Sequence, residues 1–249
     1  RFEEDPVRSL RAIRFCTKLN FKINNDIKEA IYKKGHLLSS VSNARLFDEF
    51  CKIFLNGMAE KNFNKLVSFG LNKYLVSTNL NGCEFSNQLI IEALRNTDNR
   101  IKNNQSVTPG FLIAALLWPQ LIKKSLKGNE INLKKFFRSM DSILRNQQKI
   151  TAIPRKFHTY IKDIWVLQLK LHSRIGKQPY KTLKHPRFRA AYDFLLVREK
   201  AAAKTKDLGF WWTEFQKNNE DLKKKLINDL KKNNLEESSK IFGFSKELR

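Results

Sequence analysis

Cysteine, proline and glycine are all scarce in this chain of 249 residues, at three, six and nine. The cysteines Cys16, Cys51 and Cys83 are odd in number and far apart. They match no zinc-ligand spacing and no disulfide framework, so buried, reduced thiols in a cytoplasmic protein are expected. His36, His158, His172 and His185 have no partner of their own type at i, i+4, which argues against a helical metal site. Neither a P-loop nor a Gly-x-Ser-x-Gly elbow occurs. No apolar run approaches the roughly 18 residues of a membrane-spanning helix, so a membrane role could only be peripheral. Acidic residues are short too: 24 Asp and Glu face 48 Lys and Arg, a net charge of +24. A surplus of that size repels itself and favours a polyanionic partner, nucleic acid first and an anionic membrane surface second.

What is present is the material of a folded protein: hydrophobic residues make up 41% of the chain, and 19 of the residues are Phe. The apolar spacing is helical nearly throughout, as in Ile27 and Ile31, Leu46, Phe50 and Ile53, or Ile161, Ile164, Trp165 and Leu169. No segment alternates over the length of a strand. The fold class is therefore read as all-α, an elongated array of short helices. Breaks are expected at Lys34-Gly35, Asn56-Gly57, Asn81-Gly82, Pro109-Gly110, Gly128-Asn129, Ile153-Pro154 and Ile175-Gly176. From about Asn218 one amphipathic helix and a frayed end should follow. The four tryptophans read as core, with Trp211 and Trp212 on different faces of one helix.

The opening stretch RFEEDPVRSLRAIRF carries a helix-start signal, with Asp5 as N-cap and Pro6 in the first position. At about 100° per residue, Ala12, Phe15, Cys16 and Leu19 fall on one side, and Arg11, Arg14 and Lys18 on another. Arg8 falls within the apolar arc, where a guanidinium is costly to bury alone. Either it pairs with Glu4 or Asp5 to lock the cap, or it offers a polar edge to a ligand. Further on, KLHSRIGKQPYKTLKHPRFR sets Lys170, Arg174, Lys177, Lys181, Lys184, Arg187 and Arg189 among His172, Tyr180, His185 and Phe188. The cations suit phosphates; the rings either stack on unpaired bases or fill a core. Lys223, Lys224, Lys225, Lys231 and Lys232 read more simply as a solvated helix face.

These stretches resemble a known family. EEDPVRSLRAIRFCTKLNFKI is similar to the neck of the class II nucleotidyltransferases, which comprise bacterial poly(A) polymerases and CCA-adding enzymes; the shared pattern falls on Glu4, Asp5, Arg8, Leu10, Arg11, Ala12, Arg14 and Phe15. A second family element, ARLFDEF, supplies Arg45 and Glu49. The stretches from NTDNRI to WWTEFQ resemble the body of the poly(A) polymerases rather than that of the CCA-adding enzymes. The resemblance implies a neck over 1–57, a helical body over 58–175, and a basic RNA-binding leg with its tail over 176–249. It also implies that Asp5 and Arg8 read the incoming adenine, that Arg11 meets the triphosphate or braces the neck, and that Arg45 and Glu49 form a structural ion pair. ATP would be the substrate and single-stranded RNA 3′ ends the partner, with RNA-decay machinery a further possible partner. In that family a preceding head holds two Mg²⁺ on an Asp-x-Asp pair. No Asp-x-Asp and no Gly-Ser occurs here, so the chain is expected to be the C-terminal part of a longer polymerase, inactive alone. The alternatives are a portion of a tRNA CCA-adding enzyme, or a non-catalytic basic RNA-binding protein.

Overall fold

The segment VTPGFLIAALLWPQLIKKS is apolar on every side, and only a helix enclosed by others can bury it. In the computed structural model, which describes residues 2–77, 84–128, 130–201, 203, 205 and 207–232, it forms the central helix. Thr108 caps it by accepting from the Phe111 N–H at 3.2 Å, and Pro109 occupies the first turn. In chain order the helices are α1 (Arg8–Lys18), α2 (Asn25–Lys34), α3 (Asn43–Phe54), α4 (Ala59–Ser68), α5 (Glu84–Lys102) and the central α6 (Pro109–Ser125). They continue as α7 (Leu133–Gln148), α8 (Arg155–Lys170), α9 (Gln178–Leu183), α10 (Phe188–Lys200), α11 (Leu208–Lys217) and α12 (Glu220–Lys232). Among the described residues the only strands are Leu126–Lys127 and Glu130–Ile131, an antiparallel pair turning at Gly128, whose φ is +64°. The all-α reading holds, and this hairpin was too short to show as alternation.

α5, α7, α8 and α10 surround α6. Trp118 of α6 meets Phe136 and Phe194 edge-on at 6.4 and 5.5 Å. A methyl group on Gly110 would stand 2.9 Å from the Tyr160 ring and 3.0 Å from the Phe157 ring, so α6 and α8 approach where only glycine fits. Towards the N-terminus, α3 buries Leu46, Phe47, Phe50, Ile53 and Phe54 against α1 and α4. Burying side chains of that size contributes about 1.5–3 kcal/mol each. α4 begins without a side-chain cap of its own. Asp98 of α5 provides one, accepting from the Ala59 and Glu60 N–H groups at 2.7 and 3.1 Å.

One apolar cluster runs from Val7 to Ala201. A second gathers Leu167, Leu171, Phe188, Ala191, Leu195, Trp212 and Phe215. All four tryptophans are buried. Trp211 and Trp212 nevertheless share the second cluster, their rings 5.0 Å apart, because both flanks of α11 are covered.

Three expectations about the first part of the chain need correcting. Asp5 does not cap the opening helix: residues 5–8 make a turn, with the Arg8 N–H donating to the Asp5 carbonyl at 3.1 Å, and α1 starts only at Arg8. The buried residues of α1 are Ser9, Leu10, Ile13 and Thr17, with Val7 buried just before it; Phe15 and Leu19, on the arc read as apolar and inward, are about half exposed. Cys16 and Cys51 are free thiols but only partly buried, and burial pushes the Cys51 thiol up to about 11. Cys83, the Asn81-Gly82 break, the side chains of Lys231 and Lys232 and the end of the chain from residue 233 lie outside the described residues.

Candidate nucleic-acid interface

The turn that opens α1 sets Asp5 against the flank of α3. Arg45, from the first turn of α3, donates from Nη2 to Asp5 Oδ1 at 2.8 Å. One turn further along α3, Glu49 is 1% exposed, and its Oε1 accepts from Arg11 Nε at 3.3 Å and from Lys52 Nζ at 3.3 Å. The ion pair expected between Arg45 and Glu49 is therefore crossed: each pairs with α1 or the turn before it, and together they fasten the two helices. Glu49 must be buried for this, since α3 packs on α1, and a buried carboxylate is tolerable only with cations at hand.

Asp5 Oδ2 stands 3.8 Å from Arg11 Nη1 and 3.9 Å from Arg8 Nε, beyond hydrogen-bonding reach. The Arg8 side chain is 46% exposed, with Nη1 3.5 Å from the exposed Glu4. Arg8 thus lies outside the core and pairs with both Glu4 and Asp5, the ion pairs expected to lock this turn, so that the mostly buried Asp5 carboxylate and a half-exposed guanidinium sit side by side.

The second group of candidates lies around α9. Lys177, Lys181 and Lys184 recur on its exposed face, while Pro179 and Thr182 turn inward. Lys170, at the end of α8, lies across a cleft of about 160 Å³ that it shares with Ser173, Gln178, Lys181 and His185. Among the described residues no carboxylate pairs with these four lysines. Arg187 and Arg189 are exposed at the start of α10, Arg187 with its guanidinium 5.0 Å from the centre of the Tyr160 ring and Arg189 bonded to Asp193 at 3.1 Å. Arg174 is only partly exposed and lies 5.6 Å from the Trp211 ring.

Of the rings among these cations, Phe188 takes the core option, Tyr180 packs on the edge of the second cluster, and His185 lines the cleft. Phe188 is 5% exposed and packs 5.2 Å from Trp212. Tyr180 meets Phe215 at 5.3 Å, and His185 Nδ1 accepts from the Arg187 N–H at 3.1 Å. His172 is driven down to about 3 by burial, then by the charges of Arg198 and Arg174, so it is neutral near neutral pH. The surface here is a ridge of cations on an aromatic foundation.

Comparison with known proteins places this arrangement. A model described as the arginine-rich C-terminus of polymerase A matches residues 129–241, and one described as the probable RNA and SrmB-binding site of polymerase A matches residues 20–78. The poly(A) polymerase I of Salmonella typhi is 36% identical over 241 residues, 92% of this chain. The chain belongs to the poly(A) polymerase I family. That of Haemophilus influenzae is 34% identical over 239 residues, again 92% of this chain. The chain spans about half the length of these relatives, 52% and 53%. The CCA-adding enzyme of Bacillus velezensis is 27% identical over 183 residues, or 73% of this chain, so the weaker likeness to that group extends beyond the neck.

Within the poly(A) polymerase family, the segment 20–78 contains α2, α3 and α4, to which sequence reasoning gave a structural part only. The available signal was its exposed lysines, Lys22, Lys28, Lys33, Lys52, Lys61 and Lys73, spread too evenly to stand out in a chain with this much positive charge.

Proposed function

We propose that this chain supplies the base-selecting and RNA-gripping portion of a cytoplasmic, template-independent RNA adenylyltransferase that uses ATP. The observation that carries the reading is the ridge of Lys170, Lys177, Lys181 and Lys184, exposed and without carboxylate partners among the described residues, in a chain of the poly(A) polymerase family. Exposed cations without carboxylate partners neutralise phosphates and release their counterions. The neck over 1–57 selects the base: Asp5 Oδ2 accepts from the adenine N6 amino group, and Arg8 donates to N1. The crossed pairs support this reading because they hold Asp5 from behind and leave that oxygen outside hydrogen-bonding distance of Arg8 and Arg11. Arg11, bonded to Glu49, braces the neck.

The sequence has no Asp-x-Asp pair of the kind that would hold two Mg²⁺, so in this reading nucleotidyl transfer is the work of the family's catalytic head, and the chain alone is expected to add no nucleotide. Contact with a protein partner is assigned to residues 20–78, whose matching model is described as a probable RNA and SrmB-binding site.

Oligo(A) binding measured by anisotropy across salt concentrations tests the grip. Each phosphate contact contributes about −0.7 to the log–log slope. Replacing Lys177, Lys181 and Lys184 with Ala should flatten that slope by about 2. A slope unchanged by the triple substitution would remove the ridge from RNA binding. Base selection is tested by Arg8→Ala in a full-length polymerase carrying this segment, where discrimination of ATP from CTP should fall.

A further inference from the structure

Beside the ridge, between α5, α6, α8 and α10, lies a cavity of about 290 Å³. Its walls include Val107, Phe111, Tyr160 and Ala190, and its mouth is set with Arg187 and Arg189. Arg100, on the opposite wall, donates to Asp193 at 3.3 Å, and Asp193 also pairs with Arg189 at 3.1 Å. One partly buried carboxylate therefore holds two guanidiniums in place, leaving three arginines against one acid around the opening. Burial raises the Asp193 carboxyl, against the pull of Arg189 and Arg100. Asn96 also lines the cavity, and its Nδ2 is shielded from water with no hydrogen-bond partner. The Asn96 side chain adds a polar group to the wall of the cavity.

We infer that this cavity takes one unstacked nucleotide of the RNA strand gripped by the ridge, with its base against Tyr160 and Phe111 and its phosphate between Arg187 and Arg189. The inference rests on the RNA-binding reading above and deepens it. Three features select this occupant. The volume suits a single nucleotide, apolar and aromatic walls suit the two faces of a base, and guanidiniums at the rim suit the phosphate that must remain outside. Arg187 joins the cavity to the ridge, three residues beyond Lys184, so a strand laid along α9 arrives at the opening. The basic segment thus has two parts that act differently: lysines that attract the backbone without regard to base, and a pocket that holds one base.

The test uses the 249-residue chain and oligo(A), with Ala190→Phe to fill the cavity and Asn96→Ala as a milder second variant, each checked by circular dichroism for an unchanged fold. Both should weaken binding, Ala190→Phe by about tenfold, the loss of one stacked base, while the salt slope stays that of the parent. An oligonucleotide with 2-aminopurine at one position after another should give one position whose fluorescence is shielded from acrylamide, and Ala190→Phe should abolish that shielding. If the lysine substitutions weaken RNA binding but Ala190→Phe leaves affinity and shielding intact, the pocket assignment falls and the ridge stands. If no variant changes RNA binding, both fall. Free AMP competing as tightly as the oligonucleotide, with its binding lost in Ala190→Phe, would overturn RNA as the source and assign the cavity to a free nucleotide.

Discussion

Acid should weaken this protein through His172, although an interleaved histidine in an RNA-binding segment invites the opposite expectation. His172 follows α8, its Nε2 shielded from water, and burial together with Arg198 and Arg174 lowers its pKa from 6.5 to about 3. A base whose pKa is lower in the folded state binds fewer protons folded than unfolded between those two values. Stability is therefore complete above about pH 6.5 and falls as pH drops, by about 1.4 kcal/mol per pH unit until about pH 3. Between about pH 7 and pH 5 this one residue removes about 2 kcal/mol, a large share of the 5–15 kcal/mol typical of a folded domain. Urea unfolding of the parent and His172→Gln at those two pH values isolates the effect, since the carboxylates titrate alike in both. The variant should lose about 2 kcal/mol less than the parent. Parallel losses in the two proteins, or a native His172 NMR titration with a midpoint near 6.5, would refute the reasoning. Oligo(A) affinity, corrected for unfolded protein, should gain nothing from His172 over the same range.

The other expectations concern how the helices are fastened, and each is checked by chemical denaturation. Glu49→Ala removes the buried carboxylate that Arg11 and Lys52 share while leaving both cations in reach of water, and should cost about 1.5–3 kcal/mol, whereas Arg45→Ala, an exposed partner of Asp5, should cost about 1 kcal/mol or less. Asp98→Ala removes the cap that α5 lends to α4 and should cost about 1–2 kcal/mol, with Asp98→Asn recovering part of it. Gly110→Ala forces the Tyr160 and Phe157 rings away from α6 and should cost about 1–3 kcal/mol, where an open helical site would gain from alanine.

The helices were legible in the sequence because their signals are local. The break read at Pro109-Gly110 falls at the first turn of α6, and turns at Gly57 and Gly176, with φ of +83° and +59°, end segments as read. The start of α1 was misread because the carboxylate that would cap it is drawn away by Arg45, a partner 40 positions distant that no local pattern reveals. Its inward face was misread because two apolar stripes compete: Leu10, Ile13 and Thr17 repeat at the same intervals as Ala12, Phe15 and Leu19. Only the position of α3 and α4 decides between them. The cations around α9 could be read directly, as long side chains with nothing to bury them stay outside. The fate of the rings between them could not, because a tyrosine in a basic run looks the same whether it faces RNA or Phe215. The cavity was beyond reach, being assembled from four helices that meet only in the folded molecule.

α8 and α10 each serve both apolar clusters. Ile164 and Trp165 face one and Leu167 and Leu171 the other, just as Phe194 and Val197 face one and Ala191 and Leu195 the other. Gln168 ties the pair together, donating to the Ala191 carbonyl at 2.9 Å and accepting from Arg198 at 2.9 Å. The two helices act as a party wall between neighbouring rooms, and neither room can shift without cracking the other's plaster. Loosening the small cluster should therefore register as lost stability in the large one, and the span from the lysines of α9 to the cavity beside α10 should behave as a fixed ruler rather than a hinge.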